Sequence, residues 1–136
     1  MVKSIITKFA TIKIYKQKSI LFIDFICGGT DQDITDFYTE MHSIYNNREK
    51  KNKKFNLVIV TNNIISVTGC LKHLPKLFKF FDDKKSSKLT EKISVVVNSP
   101  LLVSTLEHFF TINPPVIKTI FLKEVEDAFK SSTITK

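Results

Sequence analysis

The feature that most constrains this chain is the order in which its apolar segments change period. Two runs read as strands, Phe9–Tyr15 and Ser19–Cys27, and only Lys16-Gln17-Lys18 separates them. Beyond Cys27 the pattern alternates between helix-like and strand-like spacing, so the whole chain reads ββαβαβαβα. A three-residue connection permits a hairpin and nothing longer, whereas strands joined through a helix of crossover length pair in parallel. The expectation is therefore an α/β fold. It has a mixed five-stranded sheet with its first strand an antiparallel edge, the other strands parallel, and helices packed on its faces.

Local signals place the elements. Phe9–Tyr15 alternates Phe9, Thr11, Lys13 and Tyr15 with Ala10, Ile12 and Ile14, the period of a half-exposed strand. Ile20–Ile26 is almost continuously apolar, as in a strand buried on both faces, with Asp24 the exception. A carboxylate in such a run is costly unless paired or solvated, which makes Asp24 a candidate functional residue beside its ordinary reading as a hydrogen-bonded structural Asp. Gly28-Gly29 ends the run, and Thr30 or Asp31 can cap a helix whose apolar face is Ile34, Phe37, Tyr38, Met41, Ile44 and Tyr45. The cations of Arg48–Lys54 then offset the helix macrodipole. Phe55–Thr61 is the next strand, and Asn62–Cys70 leads into a helix carrying Leu71, Leu74, Leu77, Phe78 and Phe81. The polar stretch Asp82–Lys92 reads as a connection to a strand at Ile93–Val97. Ser99-Pro100 is an N-cap followed by proline at the first helical position. Val116–Leu122 is the last strand, and Val125, Ala128 and Phe129 anchor a short final helix. The chain reads as one domain over 1–136, with an ordered core of about 8–130 and a frayed tail at 131–136.

Composition excludes more chemistry than it supplies. Three glycines leave no phosphate-cradling loop, and two cysteines make no disulfide framework. Uncharged apolar runs fall far short of the ~20 residues that cross a bilayer, and Lys8 interrupts any signal-peptide apolar region. An intracellular, cytoplasmic location is expected. His42, His73 and His108 lie far apart, with no Cys or His at a zinc-site spacing, so neither a metal nor a cofactor is expected. The net charge of +8 attracts anions, yet Arg48 is the sole Arg among 21 cations. Arg reads guanine edges and grips phosphate bidentately, so its scarcity argues against sequence-specific nucleic-acid recognition. Nucleic acid or an anionic membrane surface stays a secondary expectation.

Three local patterns run in the same order as the elements: a buried strand ending in glycine before an acidic helix start (Phe22–Asp33), a strand leading into Gly69-Cys70-Leu71, and an ending from Leu106-Glu107-His108-Phe109-Phe110 to Val125-Glu126-Asp127-Ala128-Phe129. With them the chain resembles the STAS family, known from anti-sigma-factor antagonists and the cytoplasmic tails of sulfate transporters, over roughly Phe9 to Lys130. The lipid-binding lobe of CRAL-TRIO proteins shares that architecture, so fold alone does not choose between partner classes. The resemblance implies a partner kinase acting on a loop serine before the second helix. Here Ser66 stands where the family has Asp, Val67 where it has the phosphoacceptor, and Thr68 keeps a hydroxyl one place on, before Gly69. A phosphate there would meet free helix N–H groups, and Thr68 serves equally as a plain N-cap.

Two function classes follow. The first is a non-enzymatic protein-interaction or regulatory module that binds a protein partner through the Leu71–Phe81 helix and the loop before it, with Asn62, Asn63, Ser66, Thr68 and Gly69 as the candidate site; a homodimer is compatible with it. The alternative is a small-ligand domain for a lipid or nucleotide, using a crevice at the carboxyl ends of the strands near Asp24, Gly28, Gly29 and Cys70.

Overall fold

Burial splits the central strands into two alternating sets, and this split organises the molecule. In the computed structural model, which describes residues 2–64 and 71–132, the elements run β1 (Val2–Ile6), β2 (Ala10–Tyr15), β3 (Ile20–Phe25), α1 (Asp31–Lys51), β4 (Phe55–Val60), α2 (Leu74–Asp82), α3 (Lys84–Leu89), β5 (Thr90–Val96), α4 (Pro100–Ile112), β6 (Thr119–Leu122) and α5 (Val125–Ser132). The described strands form one six-stranded sheet whose spatial order is the chain order, β1 through β6. β1, β2 and β3 pair antiparallel, and β3, β4, β5 and β6 pair in parallel. Successive parallel neighbours joined by crossovers of one hand put every crossover helix on the same face. Leu21, Ile23, Leu57 and Ile59 accordingly pack with Phe37, Leu77, Leu89 and Leu102 from the four crossover helices. Ile20, Phe22, Val58 and Val60 face the other way, onto Ala128 and Val125 of α5. Each such aliphatic side chain taken out of water stabilises the fold by roughly 1.5–3 kcal/mol.

The helix starts follow their local chemistry. Thr30 Oγ1 accepts from the Asp33 N–H at 3.4 Å while Asp33 Oδ2 accepts from the Thr30 N–H at 2.8 Å, a reciprocal capping box. Ser99 Oγ accepts from the Leu102 N–H, and Pro100 occupies the first turn of α4. The hairpin between β2 and β3 turns through Lys16–Lys18, with Ser19 in the left-handed region at φ 54°.

The structure corrects several boundaries. There is a sixth strand, because Val2–Ile6 pairs along β2, so the Phe9–Tyr15 strand is interior and β1 holds the edge. Five residues with Lys3 and Ser4 among them carry too short an alternation to be read as a strand without their partner. The stretch Asp82–Lys92 is no plain connection: Asp83 Oδ2 accepts from the Lys85 N–H to cap α3, and β5 begins at Thr90. The final strand starts at Thr119 and not at Val116, which lies exposed after Pro114-Pro115. Ser131 and Ser132 belong to α5, with Ser132 fully buried. The sequence pattern also assigns Phe22, Ile23, Leu57, Ile59, Val95, Val97, Leu106 and Phe109 to the core, and all of these but Phe109 are buried. Phe109 is only half-buried, packed at the margin of the core.

Leu106 is 3% exposed beneath α4, so Leu106→Ala is expected to cost ~2–5 kcal/mol in denaturant unfolding. Phe109→Ala should cost less than a fully buried Phe→Ala change, because part of that ring already faces water. Equal stability of Leu106→Ala and the parent would contradict the placement of α4.

Candidate functional site

The carboxyl ends of the parallel strands bring several of the expected residues together. Asp24, near the end of β3, accepts from Asn63 Nδ2 on both carboxylate oxygens, at 3.2 and 3.0 Å. Asn62 is exposed beside it. Thr61 ties the end of β4 to its neighbour, since its N–H and Oγ1–H both reach the Val96 carbonyl. The turn after β3 is held by the Gly28 N–H donating to the Lys8 carbonyl. Gly29 has φ 86°, and a Cβ there would stand 2.5 Å from Asp33 Oδ2 and 2.8 Å from Lys8 Cβ, so only glycine fits. Asp24 is thereby hydrogen-bonded to Asn63 on both oxygens at this end of the sheet. Ser66, Thr68, Gly69 and Cys70 lie outside the described residues.

Beneath these strand ends the helix-side core leaves a cavity of about 30 Å³, lined by Phe9, Phe25, Ile59, Phe78, Leu106 and the half-buried His73 among others. That is room for about one water molecule in apolar surroundings, far below the several hundred Å³ of a pocket for a lipid chain or nucleotide. Burial lowers the His73 pKa, and Lys72 and Lys76 lower it further. The His73 ring meets Phe9 edge-on at 5.1 Å, while His42 and His108 are exposed. Among the described residues no three His, Cys, Asp or Glu side chains cluster in a way that would hold a metal ion. Among the described residues no helix is long and apolar enough to cross a membrane.

The larger concavity is an open groove of about 490 Å³ running between α1 and α2 to the start of α3. Tyr38 and His42 supply one wall, Lys76, Lys79 and Phe80 the other, and Asp83 closes one end. Phe80 stands edge-on to His42 at 5.0 Å and to Tyr38 at 5.8 Å. Lys76 Nζ lies 4.8 Å from the Tyr38 ring centroid, a cation–π contact. The Tyr38 hydroxyl is buried with no hydrogen-bond partner among the described residues. Tyr45, two turns further along α1, is satisfied at 2.9 Å by Thr90 Oγ1. Sequence reasoning placed Tyr38 in the core stripe and missed this role, because a residue at the margin of an apolar stripe shows which wall it joins only when the neighbouring helix is in place.

Burial pushes the Tyr38 hydroxyl up to about 12, with the nearby Cys27 adding to the shift. Burial raises Tyr45 as well, against a smaller opposing effect of its Thr90 hydrogen bond. An unfolded tyrosine ionises near ~10, so in this alkaline range the unfolded chain loses protons that the folded chain keeps. The contribution of these two groups is present in full below ~10 and is lost as pH rises through the folded values, and unfolding free energy should fall above about pH 10. Tyr38→Phe should flatten that fall and change stability near neutral pH by less than about 1 kcal/mol, since an unpaired hydroxyl contributes little. A larger loss in denaturant titrations would mean that the hydroxyl is paired. No family model, curated protein or solved structure matches the chain.

Proposed function

We propose that the chain is a non-enzymatic protein-interaction module of STAS-like type, which takes a protein partner on α2, the α1–α2 groove and the loop before α2. The observation that supports this most is the groove itself, an aromatic-floored, lysine-rimmed concavity on the helix that the family resemblance implicates. Aromatic rings give contact area at low entropic cost, and the lysines select an acidic segment and speed its encounter. The competing reading, a lipid or nucleotide held at the carboxyl ends of the strands, has less support, because the cavity there is about 30 Å³. Regulation by phosphorylation at Ser66 or Thr68, which adds negative charge, belongs to the same proposal.

The test is a pull-down from the source organism with the parent, Lys76→Glu/Lys79→Glu, Thr68→Glu and Thr68→Ala chains, each melted in parallel. The parent should retain a partner, and the double reversal should weaken it by tenfold or more, on the order expected for opposed charges at an interface. Thr68→Glu should change affinity more than melting temperature, with Thr68→Ala as the control for loss of the hydroxyl. Equal capture by all four chains, or a stoichiometric lipid or nucleotide in native mass spectra of the purified protein, would overturn the reading.

A further inference from the structure

At the amino end of the parallel strands, opposite the turn cluster of Asp24 and Gly29, lies a second concavity of about 230 Å³ between the β1–β2 hairpin and the C-terminal half of α1, from Glu40 to Lys51. Five cations line it: Lys3 from β1, Lys16 from the turn after β2, Arg48 and Lys51 from α1, and Lys53 just beyond it. Glu40 is the lone carboxylate. The ion pairs among the described residues are Lys54–Glu91, Lys85–Glu49 and Lys130–Glu126, so none of the five is neutralised by one. Arg48, the single arginine of the chain, has its guanidinium 5.0 Å from the Phe55 ring centroid, and its Nη2 is buried without a hydrogen-bond partner among the described residues. Desolvation lowers its pKa, as expected of a guanidinium that water does not fully serve.

The helix macrodipole accounts for cations at the end of α1 but not for Lys3 and Lys16, which the hairpin brings to the same hollow from the other side. Lys3 stands opposite Ile14 in the β1–β2 register, and both line the pocket. Converging cations around a guanidinium held over an aromatic ring, with donor capacity unused, match the geometry that grips a phosphate.

We propose that this pocket binds the phosphate group of a small molecule, with Arg48 as the orienting contact and Lys3, Lys16, Lys51 and Lys53 supplying the field. The hollow is concave and of the volume of several waters, which suits one phosphate-bearing group, free or on a lipid headgroup, better than an extended nucleic-acid strand. This site is separate from the α1–α2 groove and stands or falls independently of it.

The probe is inorganic pyrophosphate, titrated into the full chain at low ionic strength by calorimetry and by thermal shift. Arg48→Gln should weaken binding roughly tenfold or more, and Arg48→Lys should recover only part of it, because charge without the planar fork is insufficient. Since Arg48 also contacts the Phe55 ring, Lys3→Gln/Lys16→Gln, which alters only exposed side chains, provides a second arm and should weaken binding at unchanged melting temperature. Lys118→Gln, a distant exposed lysine, should leave it unchanged. Arg48-dependent sedimentation with phosphatidate vesicles, absent with phosphatidylcholine, would support the proposal with a headgroup as source; binding of pyrophosphate alone would support it with a soluble ligand. No pyrophosphate binding, loss equal in Lys118→Gln, or preference for an oligonucleotide that is insensitive to Arg48 would overturn it.

Discussion

Ile20 and Phe22 point to one side of β3 while Leu21 and Ile23 point to the other, and all four are buried. β4 repeats the demand with Val58 and Val60 against Leu57 and Ile59. A sheet whose parallel strands follow one another in space gathers its crossover helices on one face, which leaves the second face to whatever comes last in the chain. That cover is α5, an element of eight residues. Ala128 packs directly on the strands, and Phe129 stacks on Phe22 at 5.5 Å and meets Tyr15 edge-on at 5.1 Å. Its end is pinned by polar contacts: Asn56 Nδ2 and Lys92 Nζ donate to the carbonyls of Ser132 and Ser131. The outer face of β2 lies beyond this short helix, and there Lys13 spreads over Phe22, its Nζ 5.8 Å from the ring centroid.

Much of this was legible in the sequence because it is local. A continuous apolar run bounded by turn residues identified the β3 and β4 strands, and Thr30 and Ser99 marked two helix starts within a residue. What escaped depends on partners. Val2–Ile6 is a strand only because β2 lies alongside it. Lys84–Leu89, whose four inner residues are all polar with Ser86 buried among them, is a helix because Asp83 caps it and Leu89 reaches the core. Asp24 stood out as an anomaly in an apolar strand, but its explanation, Asn63 at 3.0 Å, is 39 residues away. The cations of Arg48–Lys54 read as a dipole complement from sequence alone; their convergence with Lys3 and Lys16 exists only once the hairpin has folded against α1.

α1 links the surfaces on which function is proposed. Its 21 residues span ~31 Å at 1.5 Å per residue. Its capped start lies at the carboxyl ends of the strands, its middle offers Tyr38 and His42 to the groove, and its end carries Arg48. Tyr38 and Arg48 are separated by roughly 15 Å along the axis and about 80° around it, so one flank of the helix faces α2 and the other faces the hairpin. A charge of +8 biases both surfaces toward anionic groups. Shape then distinguishes them, a wide aromatic groove in one case and a smaller cationic hollow in the other.

The account depends most directly on β3 and β4 being sealed on both faces at once, and amide hydrogen exchange under native conditions tests it. Residues 21–23 and 57–60 should exchange only through global unfolding, with the same free energy as denaturant unfolding, and Phe129→Ala should lower both by the same amount. Exchange of these amides through a lower-energy opening, or protection unchanged by Phe129→Ala, would contradict the claim that α5 closes the second face of the sheet.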